Sequence, residues 1–348
     1  MMILKLVSLD KNPILSPQSV GAEGNRFGFE GGTAQKIDGR YYIFTTEVFD
    51  EPKTAASRLV IWDSDDGHQF TRRTVLSQTN GDWNDTTHRM SPWSPMSVFD
   101  QTTDRWNVFF VGYRRKPGSN QVYNMSGLIG RLESQAAGYG GILGPYTDQG
   151  WIDLSRQGDA WEGEAAGLVS FYPYRVGDHY WYAFYGTNTA LGFIDPQTKP
   201  QYDNSQQILF HCGLARADQL NGHWTRCSDL NPVLMDPEFV ENPIVTQISS
   251  DLYIVVYDGA NKHQISYAFS RDGLHWDSEQ LLELTDAPTW LDAVRTPLGL
   301  IAEAGNRFTL YFTAFDGVNP EGVEPLWHDG FGYVGRCQVM LEPSPSAS

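Results

Sequence analysis

The chain runs to 348 residues with a formal net charge of −17, from 25 Lys and Arg against 42 Asp and Glu. That balance argues against nucleic acid and anionic membrane surfaces as partners, because binding phosphate needs a basic face. Eleven Trp, 17 Tyr and 18 Phe among 34 Gly and 19 Pro favour strands and tight turns. No window carries a capped 3.6-residue apolar period, which excludes an α/β protein.

The N-terminus, MMILKLVSLDKNPIL, holds an apolar patch too short for a secretory leader. No segment approaches the ~20 apolar residues of a transmembrane helix. The sequence as it stands reads as cytoplasmic, or as secreted or periplasmic if a leader has been removed. Oligomeric state is not legible. Cys212, Cys227 and Cys337 are an odd number without metal-type spacing, and free thiols are expected.

Five segments then share one plan: a small or Pro-rich entry, an extended run, a polar turn, an aromatic-rich strand, and one or two further strands. They cover about 26–76, 89–133, 162–227, 238–284 and 290–341. In the first, strands are expected near Ala34–Ile37, Tyr41–Thr45 and Arg58–Asp63. The second strand of each unit is apolar on both faces, as in HYWYAFYG of the third. That is the pattern of sheets packed between neighbours. Five such units predict an all-β chain, a five-bladed β-propeller, with residues 1–348 as a single domain. A β-sandwich leaves the fivefold repeat unexplained.

Two units carry the same longer motif. Glu30 stands twelve residues before Tyr42, and Glu241 twelve before Tyr253; each motif is followed by an SxDG element, Ser64–Gly67 and Ser270–Gly273. The SxDG elements are turn chemistry, with Ser and Asp side chains bonding backbone groups two residues on. The glutamates are different, because in a propeller the residues just before each innermost strand line one shared channel. Reading those entries gives Glu30, then Trp93-Ser94-Pro95-Met96, Trp161-Glu162-Gly163-Glu164, Glu241-Asn242-Pro243, and Asp292 through Pro297 with Arg295.

Carboxylates, an arginine and tryptophans at one channel mouth suit sugar chemistry. Glycosidic cleavage needs one acid to protonate the leaving oxygen and one carboxylate to attack or to activate water. Trp offers a flat apolar face to sugar C–H groups, and Arg bonds hydroxyls or a carboxylate. Each residue also has a plainer reading: Glu30 and Glu241 as ion-pair partners of Arg26, Lys36 or Arg295, Trp93 as a packing plug, Asp292 and Arg295 as a local pair. Of Glu162 and Glu164, at most one is expected to be catalytic. His88 and His328 stand where they reach the pocket rim. No two histidines have metal-ligand spacing, so no metal site is expected and no cofactor is required. One channel ion such as calcium, held by a single His and waters, stays open. A GxSxG elbow and a phosphate loop are both absent.

At this point the residues resemble the five-bladed β-propeller glycosidases, glycoside hydrolase family 43 and its relatives in families 32, 68, 117 and 130. Those families place an acid at the head of blade one, where this chain has Glu30 in FEGGT. They place a second acid in a WAPD-like blade-two motif, where this chain has Trp93-Ser94-Pro95-Met96, and a general-acid Glu in an EGP-like motif that Glu241-Asn242-Pro243 resembles. The blade-two acid, which the resemblance assigns to orienting and tuning the general acid, is replaced by Met96. The resemblance also puts the general acid in the third unit, which keeps Glu162 and Glu164 in view.

The expectation is a glycoside hydrolase acting on a small oligosaccharide or a chain end, with Glu241 as general acid, Glu30 as base, and Glu164 orienting or alternative. Trp93 and Arg295 are expected to hold the sugar, with Asp292, Glu162, His88 and His328 around it. Carboxylates facing each other across a channel reach the ~6.5–9.5 Å that admits a water, so inversion is expected. A lyase or phosphorylase on the same scaffold and a non-catalytic sugar-binding propeller are the alternatives. Which sugar, which anomer, and endo or exo action are not legible.

Overall fold

The computed structural model describes residues 2–49, 56–80, 87–115, 122–155, 158–162, 167–190, 208–236, 239–261, 263–317 and 332–344. An N-terminal strand, β1 (Met2–Leu9), precedes β2 (Gly28–Ile37), β3 (Arg40–Phe49), β4 (Ala56–Ser64) and β5 (Thr71–Gln78). Next come β6 (Ser91–Asp100), β7 (Arg105–Arg115), β8 (Val122–Ser134), β9 (Tyr146–Trp151) and the short β10 (Asp153–Leu154). The third group is β11 (Leu168–Val176), β12 (Tyr180–Ala190), β13 (Ile208–Ala217) and β14 (His223–Arg226). The chain finishes with β15 (Val240–Ser249), β16 (Leu252–Gly259), β17 (Gln264–Ser270) and β18 (Gln280–Glu283), then β19 (Ala293–Ala302), β20 (Arg307–Phe315) and β21 (Gly332–Pro343).

These strands form five separate sheets, β2–β5, β6–β9, β11–β14 with β10 at its edge, β15–β18, and β19-β20-β21-β1. Five apolar cores join them, one between each pair of neighbours, so the sheets close into a five-bladed propeller. Along β3 and β4, Ile43, Val60 and Trp62 pack towards blade five, with Tyr311 and Val334. Their alternates Phe44, Leu59 and Ile61 pack towards blade two, with Trp106, Val108 and Phe110. A period of two with both faces apolar is what places each sheet between two others. The remaining cores join blades two and three, three and four, and four and five.

Two boundaries differ from the sequence-based expectation. The second blade continues beyond residue 133 to β9, and the fifth is closed by the N-terminal strand, Met2 pairing with Pro343 and Leu9 with Cys337. The apolar patch at the start of the chain is therefore an outer strand, with Leu4 buried among residues of blades four and five. All three cysteines are free. Among the described residues no helix is long and apolar enough to cross a membrane.

Candidate active site at the head of the channel

The five innermost strands are β2, β6, β11, β15 and β19, and each carries a β-bulge near its start. Register breaks occur between Glu30 and Gly32, Trp93 and Met96, Leu168 and Ser170, Glu241 and Ile244, and Val294 and Thr296. A bulge bends its strand and re-aims a side chain, and bulges gather beside active sites. In blades one, two and four the bulged residue has a positive φ: Gly31 at 62°, Ser94 at 46° and Asn242 at 54°. Gly31 is required for a second reason, since a Cβ there would lie 2.3 Å from Ser94 Oγ. The doubled Glu motif thus becomes a shared backbone device that turns Glu30 and Glu241 into the channel mouth.

Arg295, the bulged residue of β19, ties the site together. Its Nη2 lies 2.9 Å from Glu30 Oε1 and 3.3 Å from Glu241 Oε1; its Nη1 lies 2.5 Å from Glu241 Oε2 and 2.7 Å from Asp258 Oδ2. Burial works to lower the Arg295 pKa, but the charges of Glu241, Glu30 and Asp258 override it and hold the group well above its ordinary value. Two buried tyrosines, Tyr113 and Tyr172, sense the same charge. Desolvation first, and then Glu241 and Glu30, push both phenols well up, so each stays a neutral donor. The Tyr172 hydroxyl lies 3.4 Å from Asn242 Oδ1, and Asn242 Nδ2 lies 3.3 Å from Thr296 Oγ1, fixing the β15 bulge to β19.

Above the cluster opens a cavity of about 200 Å³, lined by Phe210, Phe239 and Phe315 together with Glu241, Arg295 and the Ala293–Val294 backbone. Its lining combines a carboxylate and a guanidinium, which can bond hydroxyls, with phenyl rings that can cover C–H groups.

The structure therefore brings Glu30, Glu241 and Arg295 to one point. Asp292 is exposed beside them; its carbonyl meets His263 Nδ1 at 2.8 Å. Among the described residues, the others singled out in sequence have partners of their own. Glu162 is buried in an ion pair with Arg226 and accepts from the Tyr185 hydroxyl and the Asp159 N–H. Trp93 is half-buried against the core between blades two and three. His88 sits edge-on to Trp151, 6.1 Å between ring centroids. Glu164 and His328 lie outside the described residues.

Met96 is 1% exposed in the apolar core and lines a second cavity, of about 340 Å³, further along the same inner strands with Ser97, Tyr172 and Ile244. Sequence reasoning missed Asp258 and the three phenylalanines. Asp258 ends β16 in VVYDG, which reads as a turn aspartate before glycine. Its register opposite Glu241 was the signal to be used. Among the described residues no group of three or more His, Cys, Asp or Glu is arranged to hold a metal ion.

No family model matches the chain, and no curated protein matches it in sequence. Solved structures do. A family 117 glycoside hydrolase from the marine bacterium Zobellia galactanivorans superposes with a TM-score of 0.63 at 12% identity, over 98% of this chain and 91% of that one. The catalytic domain of a family 62 α-L-arabinofuranosidase from Coprinopsis cinerea gives 0.58 at 12% identity, over 94% and 95%. An exo-β-1,3-galactanase from Phanerochaete chrysosporium gives 0.57 at 13%, over 97% and 64%. The chain shares its fold with five-bladed propeller glycoside hydrolases.

Proposed function

We propose that this protein is a glycoside hydrolase that releases a terminal sugar from an oligosaccharide or chain end. The observation that carries the proposal is Arg295 gathering Glu30 and Glu241, with Arg295 and Glu241 lining the aromatic-walled cavity. Glu241 is the general acid: it gives its proton to the glycosidic oxygen as the bond to the anomeric carbon breaks and the electron pair passes to that oxygen. Arg295 holds both carboxylates in place and faces the sugar. A cavity of about 200 Å³ suits one ring, since about 150 Å³ takes up a benzene, and one ring means action at a chain end. Side chains supply all of this chemistry, so the proposal names no cofactor.

The spacing bears on stereochemistry. The nearest oxygens of Glu30 and Glu241 share Nη2, at 2.9 and 3.3 Å. Two carboxylates bonded to one nitrogen stand closer together than a pair that leaves room for a water between them. This favours Glu30 as nucleophile rather than as the base expected from sequence. Glu30 forms a bond to the anomeric carbon; water then displaces it, giving its proton back to Glu241. The first sugar released is expected to keep its anomeric configuration, which proton NMR during the first minutes of turnover reports. Inverted product would restore Glu30 as a base acting through water.

The anionic-substrate alternatives lose their support. All four Nη contacts of Arg295 go to three carboxylates, so a uronate or phosphate arriving there meets an excess of negative charge. Arg89 is committed to Asp148 at 2.9 Å and lies over Trp151, 4.0 Å from the ring centre. A purely sugar-binding role leaves three buried carboxylates unexplained, because a neutral ligand does not need them and burying them is costly. Turnover of a panel of aryl glycosides by the protein and by Glu241→Gln tests the proposal. Unchanged turnover in the variant removes Glu241 from the mechanism, and saturable binding without any turnover by the parent protein supports the binding role instead.

A further inference from the structure

The position where an acid was expected to orient the general acid is occupied by Met96, sealed into the core between blades two and three. The third carboxylate at Arg295 comes instead from blade four. Taking the glycosidase reading as its basis, we infer that Asp258 is the positioning residue for Glu241, dividing the guanidinium so that the Glu241 carboxyl is held towards the leaving oxygen.

Glu241 and Asp258 are direct partners across β15 and β16, so their side chains leave the same face of the sheet with Cβ atoms about 5 Å apart. They are 5% and 3% exposed. Like charges directly opposite each other destabilise a sheet, and burial adds to the cost. Packing does not ask for a carboxylate there, since the residues leading up to it, Val255, Val256 and Tyr257, are all buried and apolar or aromatic. Something other than stability accounts for the pair.

The geometry at Arg295 supplies it. Two parallel bonds from one guanidinium make the strong form of an Arg–carboxylate pair, and a carboxylate held that way is an ionised acceptor. Glu162 is held so by Arg226, at 2.6 and 2.9 Å. Glu241 is not. Its second bond, to Nη2, is 3.3 Å, while Nη1 divides between Glu241 and Asp258 at 2.5 and 2.7 Å. Asp258 draws on the same Nη1 as Glu241, so the two carboxylates divide what that nitrogen donates. Of the pair, Glu241 is the one that lines the cavity, so it is the member placed to pass a proton to a leaving oxygen.

The test is a series of aryl glycosides of graded leaving-group acidity, built on whichever sugar the parent protein turns over. Asp258→Asn is expected to lower kcat about 10–100-fold on the least acidic phenol and to leave the most acidic one within about threefold, since a good leaving group needs no proton. Glu241→Gln is expected to show the same slope, more steeply. Equal losses across the series in folded Asp258→Asn, or no loss at all, overturn the inference. Should that variant fail to fold, Asp258→Ser gives the same reading. If the parent turns over no member of the series, it is the glycosidase reading that fails; if Glu241→Gln shows a leaving-group dependence and the Asp258 variants do not, this inference alone fails.

Discussion

Glu162 and Glu241 look alike in sequence: each stands at the head of a blade, each is buried, and each meets an arginine distant in the chain. Their surroundings part them. Glu162 takes two bonds from Arg226 and, among the described residues, is the carboxylate that guanidinium pairs with. It also accepts from the Tyr185 hydroxyl at 2.8 Å and the Asp159 N–H at 3.0 Å. Glu47 goes further, with Arg58, Arg72 and the Trp62 indole all donating to it. Glu241 shares one guanidinium with two other carboxylates and faces a cavity. A carboxylate matched or outnumbered by cations is scaffold. One that outnumbers its cation beside an opening has protons to trade.

Exchanging each glutamate for glutamine should therefore give opposite outcomes, and this is the largest effect expected. Glu241→Gln is predicted to lose about 10²–10⁴-fold in turnover with a melting temperature close to the parent's. Glu162→Gln is predicted to lose roughly 3–5 kcal/mol of stability, because it leaves Arg226 buried without its counter-charge. Its turnover per folded molecule is expected to persist. Kinetics and denaturant titration on the two variants decide it. If Glu162→Gln abolished turnover at unchanged stability, the comparison would be broken and Glu162 would return as the acid.

A second difference between scaffold and site lies in pH. His211, on β13 of blade three, is 1% exposed, and neither ring nitrogen finds a partner among the described residues. Burial lowers its pKa from 6.5 to about 4, against a weaker opposing pull from Asp236. The folded state thus refuses a proton that the unfolded chain accepts below about pH 6.5. The stability this histidine contributes is complete above that value and is lost as pH falls towards about 4, by roughly 3 kcal/mol in all. His211→Leu is expected to flatten that acid limb in denaturant titrations at several pH values. An unchanged limb would move the acid sensitivity to other groups, the Arg295 cluster among them.

How much of this was legible follows from the range of each signal. Fivefold repetition, the matched Glu30 and Glu241, and Arg295 were readable because each is a local pattern in one strand or its entry. Blade five closing on β1 was not, since Met2 pairs with Pro343 at the opposite end of the chain. The fate of Glu162 was not either, because Arg226 lies 64 residues away. Asp258 was hidden differently. A strand-ending Asp before Gly is common turn chemistry, and only its register against Glu241 separates it from that reading.

The smallest effect concerns the two SxDG turns, where the repeat is deepest and chemistry absent. Ser64 Oγ accepts from the Gly67 N–H at 2.9 Å, and Ser270 Oγ from the Gly273 N–H at 2.8 Å; Asp66 and Asp272 each accept from two further backbone N–H groups. Both turns also dock on a neighbouring blade. The Tyr311 hydroxyl donates to the Gly67 carbonyl at 2.9 Å, and the Tyr174 hydroxyl to that of Gly273 at 2.7 Å. One tyrosine belongs to a second strand and the other to an innermost strand, so the blade repeat does not dictate the contact; the turn does. Tyr311→Phe and Tyr174→Phe are each predicted to cost about 1 kcal/mol, by leaving a buried carbonyl without its donor, and neither should change turnover. Matching losses would mark the turns as interchangeable clamps between blades. A loss of turnover with either variant would mean that blade docking reaches the channel mouth, and the division between scaffold carboxylates and the Arg295 cluster would have to be redrawn.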